Sequence, residues 1–258
     1  MSKKYIFIDL DGTIIDHSTN SIPESAKIAI NLLQENGHEI IIASGRPPAL
    51  FYGIDKTLNI DSYIASNGRI VVYKGKLIHS DYIDKKVVDR LVKLAEKEKI
   101  DLAFESMTDY VLNTDITDLS FKFSDVYHLK YPTVHHNYHL QNDVYQMVLF
   151  YTKDDYKRFE ELFPTLSFHF SNEYGIDINA TGGMKEIGIK RIIEEMGINI
   201  EDTIAVGDGF NDISMIEYAH FGIAMGNSHN PVKEAADMVT DNVNDDGLYK
   251  AFKMLGMI

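Results

Sequence analysis

The chain has 258 residues, 45% hydrophobic and 25% charged, the composition of a folded protein large enough for one large or two ordinary domains. Its 25 Lys and Arg face 39 Asp and Glu, a formal net charge of −14, which disfavours nucleic acid and anionic membrane surfaces as partners. Cysteine is absent, which excludes disulfides and thiolate metal sites. No apolar run approaches the ~20 residues of a membrane helix. The opening MSKKYIFIDLDGT runs into a strand pattern without a small-residue cleavage site, so it does not read as a signal peptide and a cytoplasmic location is expected.

A strand over 5–9, β-branched and aromatic, ends at Asp9-Leu10-Asp11-Gly12-Thr13. A helix over 23–36 follows, with proline near its first turn and Gly37 at its stop. Residues 38–43 contain Ile40, Ile41 and Ile42, a strand buried on both faces that ends at Ser44-Gly45-Arg46. Strand, helix, strand with such apolar strands is the pattern of a parallel sheet. Residues 62–79 read as strands joined through Asn67-Gly68 and Lys74-Gly75, two hairpin signals.

From 83 to 180 the pattern changes to a helix, two strands, an irregular stretch, a strand over 145–151, a helix and two more strands. Antiparallel hairpins with helices inside a parallel-sheet chain imply an inserted domain at 83–180, with 1–82 and 181–258 forming one discontinuous core. The parallel pattern then returns: a helix over 184–196 stopped by Gly197, a strand over 203–206 ending at Gly207-Asp208-Gly209, a short helix, a strand over 221–225 and a last helix over 247–254.

Four strand-end or helix-start motifs carry chemistry. Asp9 and Asp11 follow the first strand, where open parallel sheets bind ligands; one carboxylate can attack while the other handles protons. Gly12 permits a tight turn that exposes backbone N–H groups to an anion. A calcium loop is excluded, because the glycine and glutamate it requires are missing from their positions. In Gly207-Asp208-Gly209-Phe210-Asn211-Asp212, Asp208 and Asp212 suit a hard, oxygen-ligated cation such as magnesium; a capped helix start explains the same residues. A dinucleotide turn is broken by Asp212 in place of the third glycine. Ser44 and Gly45 can bind phosphoryl oxygens, or Ser44 can cap the next helix with Pro47 at its first position. Lys185, at the positive end of a helix dipole, is either a solvated lysine or the partner of a nearby anion.

Together and in this order these motifs resemble the haloacid dehalogenase superfamily, over residues 5–249. That resemblance implies an α/β fold, a Rossmann-like parallel-sheet core with an inserted α+β cap domain. Only one helix and one strand fit between Thr13 and Ser44, whereas a whole domain fits between Arg46 and Lys185. A cap between the second and third motifs is similar to the Cof-type hydrolases, and Asn67-Gly68 resembles the Asn-Gly turn before their cap. Met184-Lys185-Glu186 departs from the Ser-Lys-Gly that many of them carry.

The resemblance implies a phosphatase that hydrolyses phosphomonoesters of small metabolites, sugar or cofactor phosphates, through an aspartyl-phosphate. Asp9 is then the nucleophile and Asp11 the acid and base. Mg2+ is the implied cofactor, held by the Asp9 carboxylate, the Asp11 backbone carbonyl and Asp208, with Asp212 orienting a bound water or Lys185. Ser44, Gly45, Lys185 and Asn211 hold the phosphoryl oxygens, and Arg46 contacts substrate or cap. A divalent cation also reconciles an acidic chain with an anionic substrate. A phosphotransferase or mutase on sugar phosphates, and a silent phosphate-metabolite binding protein, are the alternatives. The expected partner is a small phosphorylated metabolite, with no nucleic acid and no membrane, bound by a monomer or small homo-oligomer. His128, His135, His136 and His139, crowded with Tyr127, Tyr131 and Tyr138, read as a solvated or substrate-facing loop rather than a metal site.

Overall fold

The computed structural model describes residues 2–115, 117–126 and 128–258, with all their side chains except those of Asp154 and Ser171. The chain opens with β1 (Tyr5–Ile8), α1 (Glu24–Glu35), β2 (Glu39–Ala43), the single turn α2 (Ile54–Thr57), β3 (Tyr63–Ala65), β4 (Ile70–Tyr73) and β5 (Lys76–Ser80). Next come α3 (Lys85–Glu98), β6 (Asp101–Glu105), β7 (Tyr110–Leu112), α4 (Asp118–Val126), β8 (Thr133–Val134), β9 (Gln146–Phe150), α5 (Arg158–Leu162), β10 (Leu166–Asn172) and β11 (Gly175–Ala180). It closes with α6 (Lys185–Met196), β12 (Thr203–Gly207), α7 (Ile213–Tyr218), β13 (Phe221–Ala224), α8 (Asn230–Ala235), β14 (Met238–Val239) and α9 (Gly247–Met254). These elements form two compact units, one of Met1–Gly45, Gly53–Ser80 and Met184–Ile258, the other of Arg46–Tyr52 and Asp81–Gly183.

The first unit is built on a sheet ordered β14-β13-β12-β1-β2-β3-β4-β5. From β14 to β3 every pair is parallel, and the β4 and β5 hairpins are antiparallel. The central strands are apolar because both faces are covered: Ile6, Phe7, Ile8, Ile41, Ile42, Ala205 and Val206 have no exposed surface. β1 lies between β2 and β12, so the chain leaves it on one side first and returns on the other. That reversal is a switch point, where the loops beyond the strand ends part and leave a crevice. Ile8 stands opposite both Ile42 and Val206, so the loops beginning at Asp9, Ser44 and Asp208 emerge at one edge.

Helix α1 buries Ala26, Ala29, Ile30 and Leu33, an i, i+3, i+4, i+7 stripe. Gly37 follows it at φ 84°, left-handed backbone that costs glycine little. The 3₁₀ turn Pro48–Leu50 has Pro47, not Ser44, as its N-cap, so the capping alternative for Ser44 does not hold.

In the second unit the sheet order is β10-β11-β9-β6-β7-β8, antiparallel except between β7 and β8. One face carries Phe104, Val111, Met147, Leu149, Ile176 and Ile178, packed with Val88, Leu91, Val92 and Ala95 of α3 and Phe159 of α5. Asp84 caps α3 by accepting from the N–H groups of Lys86 (2.8 Å) and Val87 (3.3 Å).

Within the Tyr/His-rich stretch, Tyr138 and His139 correct the expectation of a solvated or substrate-facing loop. Tyr138 and His139 are both 4% exposed, and the His139 ring lies 5.3 Å from that of Phe104. They are core residues because the 3₁₀ turn Tyr138–Leu140 packs against α3. Tyr131, His135 and His136 are exposed, and Tyr127 lies outside the described residues. None of the four histidines belongs to a cluster of metal-ligating side chains among the described residues. α4, which the sequence reading passes over, precedes this stretch. No described helix is long and apolar enough to cross a membrane.

Candidate active site

Asp9 is the first residue beyond β1 and is 4% exposed; its N–H donates to the Val206 carbonyl (2.9 Å), so the strand pairing carries on to the site. Lys185, at the first position of α6, has no exposed surface. Its Nζ donates to Asp9 Oδ1 (2.6 Å) and Asp212 Oδ1 (2.5 Å). The solvated reading of Lys185 therefore fails: a buried ammonium is tolerated only when paired, and here two carboxylates pair it.

Asp212 is wholly buried and both of its oxygens are engaged. Oδ1 accepts from Lys185, while Oδ2 accepts from the N–H groups of Asp208 (2.9 Å) and Gly209 (2.8 Å). It thus fixes the loop that carries Asp208 and holds the lysine. Gly207 makes this possible, because a Cβ there would stand 2.5 Å from the Asp212 carboxyl carbon. Asp208 is held in turn by Thr13 Oγ1 (3.1 Å) and Asn227 Nδ2 (3.1 Å), and Asn227 also donates to the Gly12 carbonyl (2.9 Å). Gly12 has φ 76°, and a Cβ on it would lie 2.2 Å from Asp208 Oδ2.

One carboxylate oxygen each of Asp9, Asp208 and Asp212 lies within 4.8 Å of the others. Burial, then the charge of Asp212, pushes the Asp9 carboxyl well above its ordinary range, and Lys185 offsets only part of this. Asp208 is pushed up to about 6 by the same two causes, against the hydrogen bond from Thr13. Burial depresses Lys185, but the charges of Asp212 and Asp9 outweigh it and hold the ammonium above its usual value. The trio has more negative charge than one lysine balances. A hard divalent cation fits this donor set: one carboxylate oxygen from each of the buried Asp9 and Asp212 and the half-buried Asp208, gathered within 4.8 Å, with glycines where side chains would intrude.

The other expected residues divide. Asp11 is half-buried, two residues beyond Asp9, and its carboxyl is not part of the converging trio. Ser44 is buried at the end of β2, with its N–H on the Ile64 carbonyl (2.8 Å). Asn211 is exposed and donates to Asn67 Oδ1 (3.1 Å). A Cβ on Gly45 would sit 3.3 Å from that same oxygen, so Gly45, Asn67 and Asn211 line one spot. Arg46 belongs to the second unit; its Nη1 donates to the Leu50 carbonyl (3.0 Å). The sequence reading missed Asn67 and Asn227 as site residues. Asn67 had been read only as a turn residue, and Asn227 follows a parallel strand at the same edge, the one signal that could have found it.

The chain matches the family model of haloacid dehalogenase-like hydrolases over residues 6–252. It is 37% identical over 260 residues to "Putative phosphatase YkrA" of Bacillus subtilis (strain 168), covering 100% of both chains. It is 28% identical over 259 residues to the 5-amino-6-(5-phospho-D-ribitylamino)uracil phosphatase YcsE of the same organism, covering 97% of this chain and 94% of YcsE. Among solved structures, a hypothetical protein of Geobacillus kaustophilus HTA426 superposes with a TM-score of 0.95 at 31% identity, each chain covered in full. The HAD subclass IIB sugar phosphatase BT4131 superposes with a TM-score of 0.82 at 32% identity, over 99% of this chain and 100% of that one.

Proposed function

The chain belongs to the haloacid dehalogenase-like hydrolases and is a phosphatase, and from that premise we propose that it hydrolyses phosphomonoesters of small metabolites through an aspartyl-phosphate on Asp9, with magnesium. The observation that carries this reading is the Asp9 carboxylate, set at the switch point of a parallel sheet and hydrogen-bonded to the wholly buried Lys185. A carboxylate so placed has lost its water shell and is aimed by a fixed cation, as a nucleophile requires.

In the first step an Asp9 oxygen attacks phosphorus in line, the bond from phosphorus to the leaving oxygen breaks, and Asp11 gives that oxygen a proton. In the second step Asp11 takes a proton from water, the water oxygen attacks phosphorus, and the bond to Asp9 breaks, which restores the carboxylate. Lys185, the Gly45 N–H, Ser44 and Asn211 hold the phosphoryl oxygens and the charge that spreads over them. Asp9, the Asp11 carbonyl and Asp208 would hold magnesium, which would supply positive charge that favours ionised Asp9 and offsets the anionic substrate. Asp212 acts through Asp208 and Lys185.

The second unit, lacking every residue assigned to phosphoryl chemistry except Arg46, serves recognition of the leaving group. YcsE and BT4131 are named for a ribitylamino and a sugar phosphate, which supports substrates of that size. The test is phosphate release from a panel of phosphomonoesters with magnesium, and mass spectrometry of Asp11→Asn after mixing with the best of them. A phosphorylated Asp9 peptide supports the covalent route; turnover by Asp9→Asn at the wild-type rate defeats it.

A further inference from the structure

The turn between β3 and β4 carries two separate costs. Ser66, Asn67 and Gly68 stand consecutively at φ 48°, 53° and 91°, left-handed backbone that glycine adopts freely, asparagine less readily and serine at a penalty. Ser66 is also wholly buried, and its Oγ has no hydrogen-bond partner among the described residues. Strain and an unmet hydroxyl on one residue persist only where the surroundings impose them. Those surroundings are three other segments of the first unit. The Asn67 N–H donates to the Ser44 carbonyl (3.2 Å). A Cβ on Gly68 would stand 2.3 Å from the carbonyl oxygen of Met184, the residue before Lys185. Asn67 Oδ1 accepts from Asn211 Nδ2 (3.1 Å). One turn thus meets the segments that carry Ser44, Lys185 and Asn211.

We infer that Asn67 is a positioning residue of the phosphoryl site and acts through Asn211. The inference rests on the phosphatase reading, in which Asn211 donates to a phosphoryl oxygen. Asn211 is exposed, and an exposed side chain samples several rotamers unless a partner holds it. Its amide nitrogen has two N–H bonds. Asn67 Oδ1 takes one, which fixes the amide and leaves the other to donate. The left-handed turn is what brings Asn67 to this place, and Gly45 leaves room for it. A Cβ on Gly45 would lie 3.3 Å from Asn67 Oδ1 and 3.4 Å from Asn211 Nδ2, crowding both ends of the hydrogen bond. A donor fixed before the substrate arrives needs no ordering during the reaction.

The experiment is a double-mutant cycle of Asn67→Gly and Asn211→Ala. It is read as kcat/KM for p-nitrophenyl phosphate and for the best ester of the panel above, with Tm for each protein. Glycine accepts the left-handed turn, so Tm of Asn67→Gly should stay within about 3 °C of the wild type. The same variant should lose about tenfold in kcat/KM for both esters. Inhibition by orthovanadate, a five-coordinate mimic of the transition state, should weaken by the same factor. Asn211→Ala should lose about tenfold or more. In the Asn211→Ala background, Asn67→Gly should change kcat/KM by less than about twofold, because the residue it acts through is gone. A tenfold loss that persists in that background overturns the inference, as does wild-type kcat/KM in either single variant. A fall in Tm of Asn67→Gly beyond that range also overturns it, as the mark of a turn that serves folding alone. Should the wild type hydrolyse none of these esters with magnesium, the phosphatase reading fails. Calorimetric titration with inorganic phosphate and magnesium then decides the role of Asn67. A loss of affinity in Asn67→Gly that vanishes in the Asn211→Ala background supports it, and equal or absent binding overturns it.

Discussion

Lys185 Nζ stands 2.6 Å from Asp9 Oδ1, although 176 positions separate the two residues in the chain and neither side chain is more than 6% exposed. With Asp212 on its other side the lysine is buried between two carboxylates. Lys185→Met leaves both without a counter-charge, and breaking a buried pair in this way costs about 3–5 kcal/mol, less whatever protonation of Asp9 recovers. The expected result is a lower Tm and at least about a hundredfold loss of phosphatase activity. Adding Asp212→Asn removes one of the stranded charges, so the double variant should regain Tm but not turnover. Recovery of both would mean that Lys185 serves stability alone.

Gly12 and Gly37 separate two costs of a glycine substitution. Both have positive φ, 76° and 84°, but a Cβ on Gly12 meets Asp208 at 2.2 Å and one on Gly37 meets nothing within 4 Å. Gly37→Ala should cost about 1 kcal/mol of backbone strain and leave kcat/KM alone. Gly12→Ala should cost more and abolish most activity, because Asp208 must move. Equal Tm and activity losses in the two variants would show that the contact with Asp208 does not matter.

The fold, and the strand ends where the candidate site lies, were legible because parallel strands announce themselves. Ile40, Ile41 and Ile42 form a run that only a doubly covered strand accommodates, and the motifs at Asp9, Ser44 and Asp208 each follow a parallel strand of this kind. The last helix was read at the bounds observed, Gly247–Met254. What escaped depends on tertiary packing. Lys185 reads as an ordinary helix-start lysine until α6 carries it between two aspartates. Tyr138 and His139 sit in a polar, turn-rich stretch, and only their packing beside Phe104 makes them core. The register that aligns Glu105 with Gln146 and Asn179 is a property of pairing among three strands, which no local pattern states.

Chelation should remove activity and magnesium restore it, since one carboxylate oxygen each of Asp9, Asp208 and Asp212 lies within 4.8 Å of the others, a concentration of negative charge that repels an anionic substrate at Asp9 unless a cation offsets it. Magnesium should also raise Tm in the wild type, because a cation bound only by the folded chain stabilises it. Asp208→Ala should abolish that rise. Full turnover in excess chelator, or an undiminished Tm response in Asp208→Ala, would remove the metal from this site.

Glu105 gives the fold a pH dependence that can be read without substrate. Burial and the Asp177 charge raise its carboxyl from 4.5 to about 8, and Arg46 opposes them. A carboxyl whose folded pKa lies above its unfolded one holds its proton more tightly in the folded chain. Its contribution to stability is therefore present below pH ~4.5 and is lost as the pH rises through about 8. At 1.36 kcal/mol per unit the loss is of order 5 kcal/mol, an upper figure, because water reaching the deprotonated group reduces it. Glu105→Gln keeps the shape and cannot ionise. Wild type and variant should melt at similar temperatures at pH 5, and the variant should melt progressively higher than wild type between pH 6 and 8.5. The measurement is the difference in Tm between the two proteins across that range, in chelator throughout, so that metal binding does not contribute. A difference that stays constant with pH would show that Glu105 is ionised in the folded protein at neutral pH, against its burial.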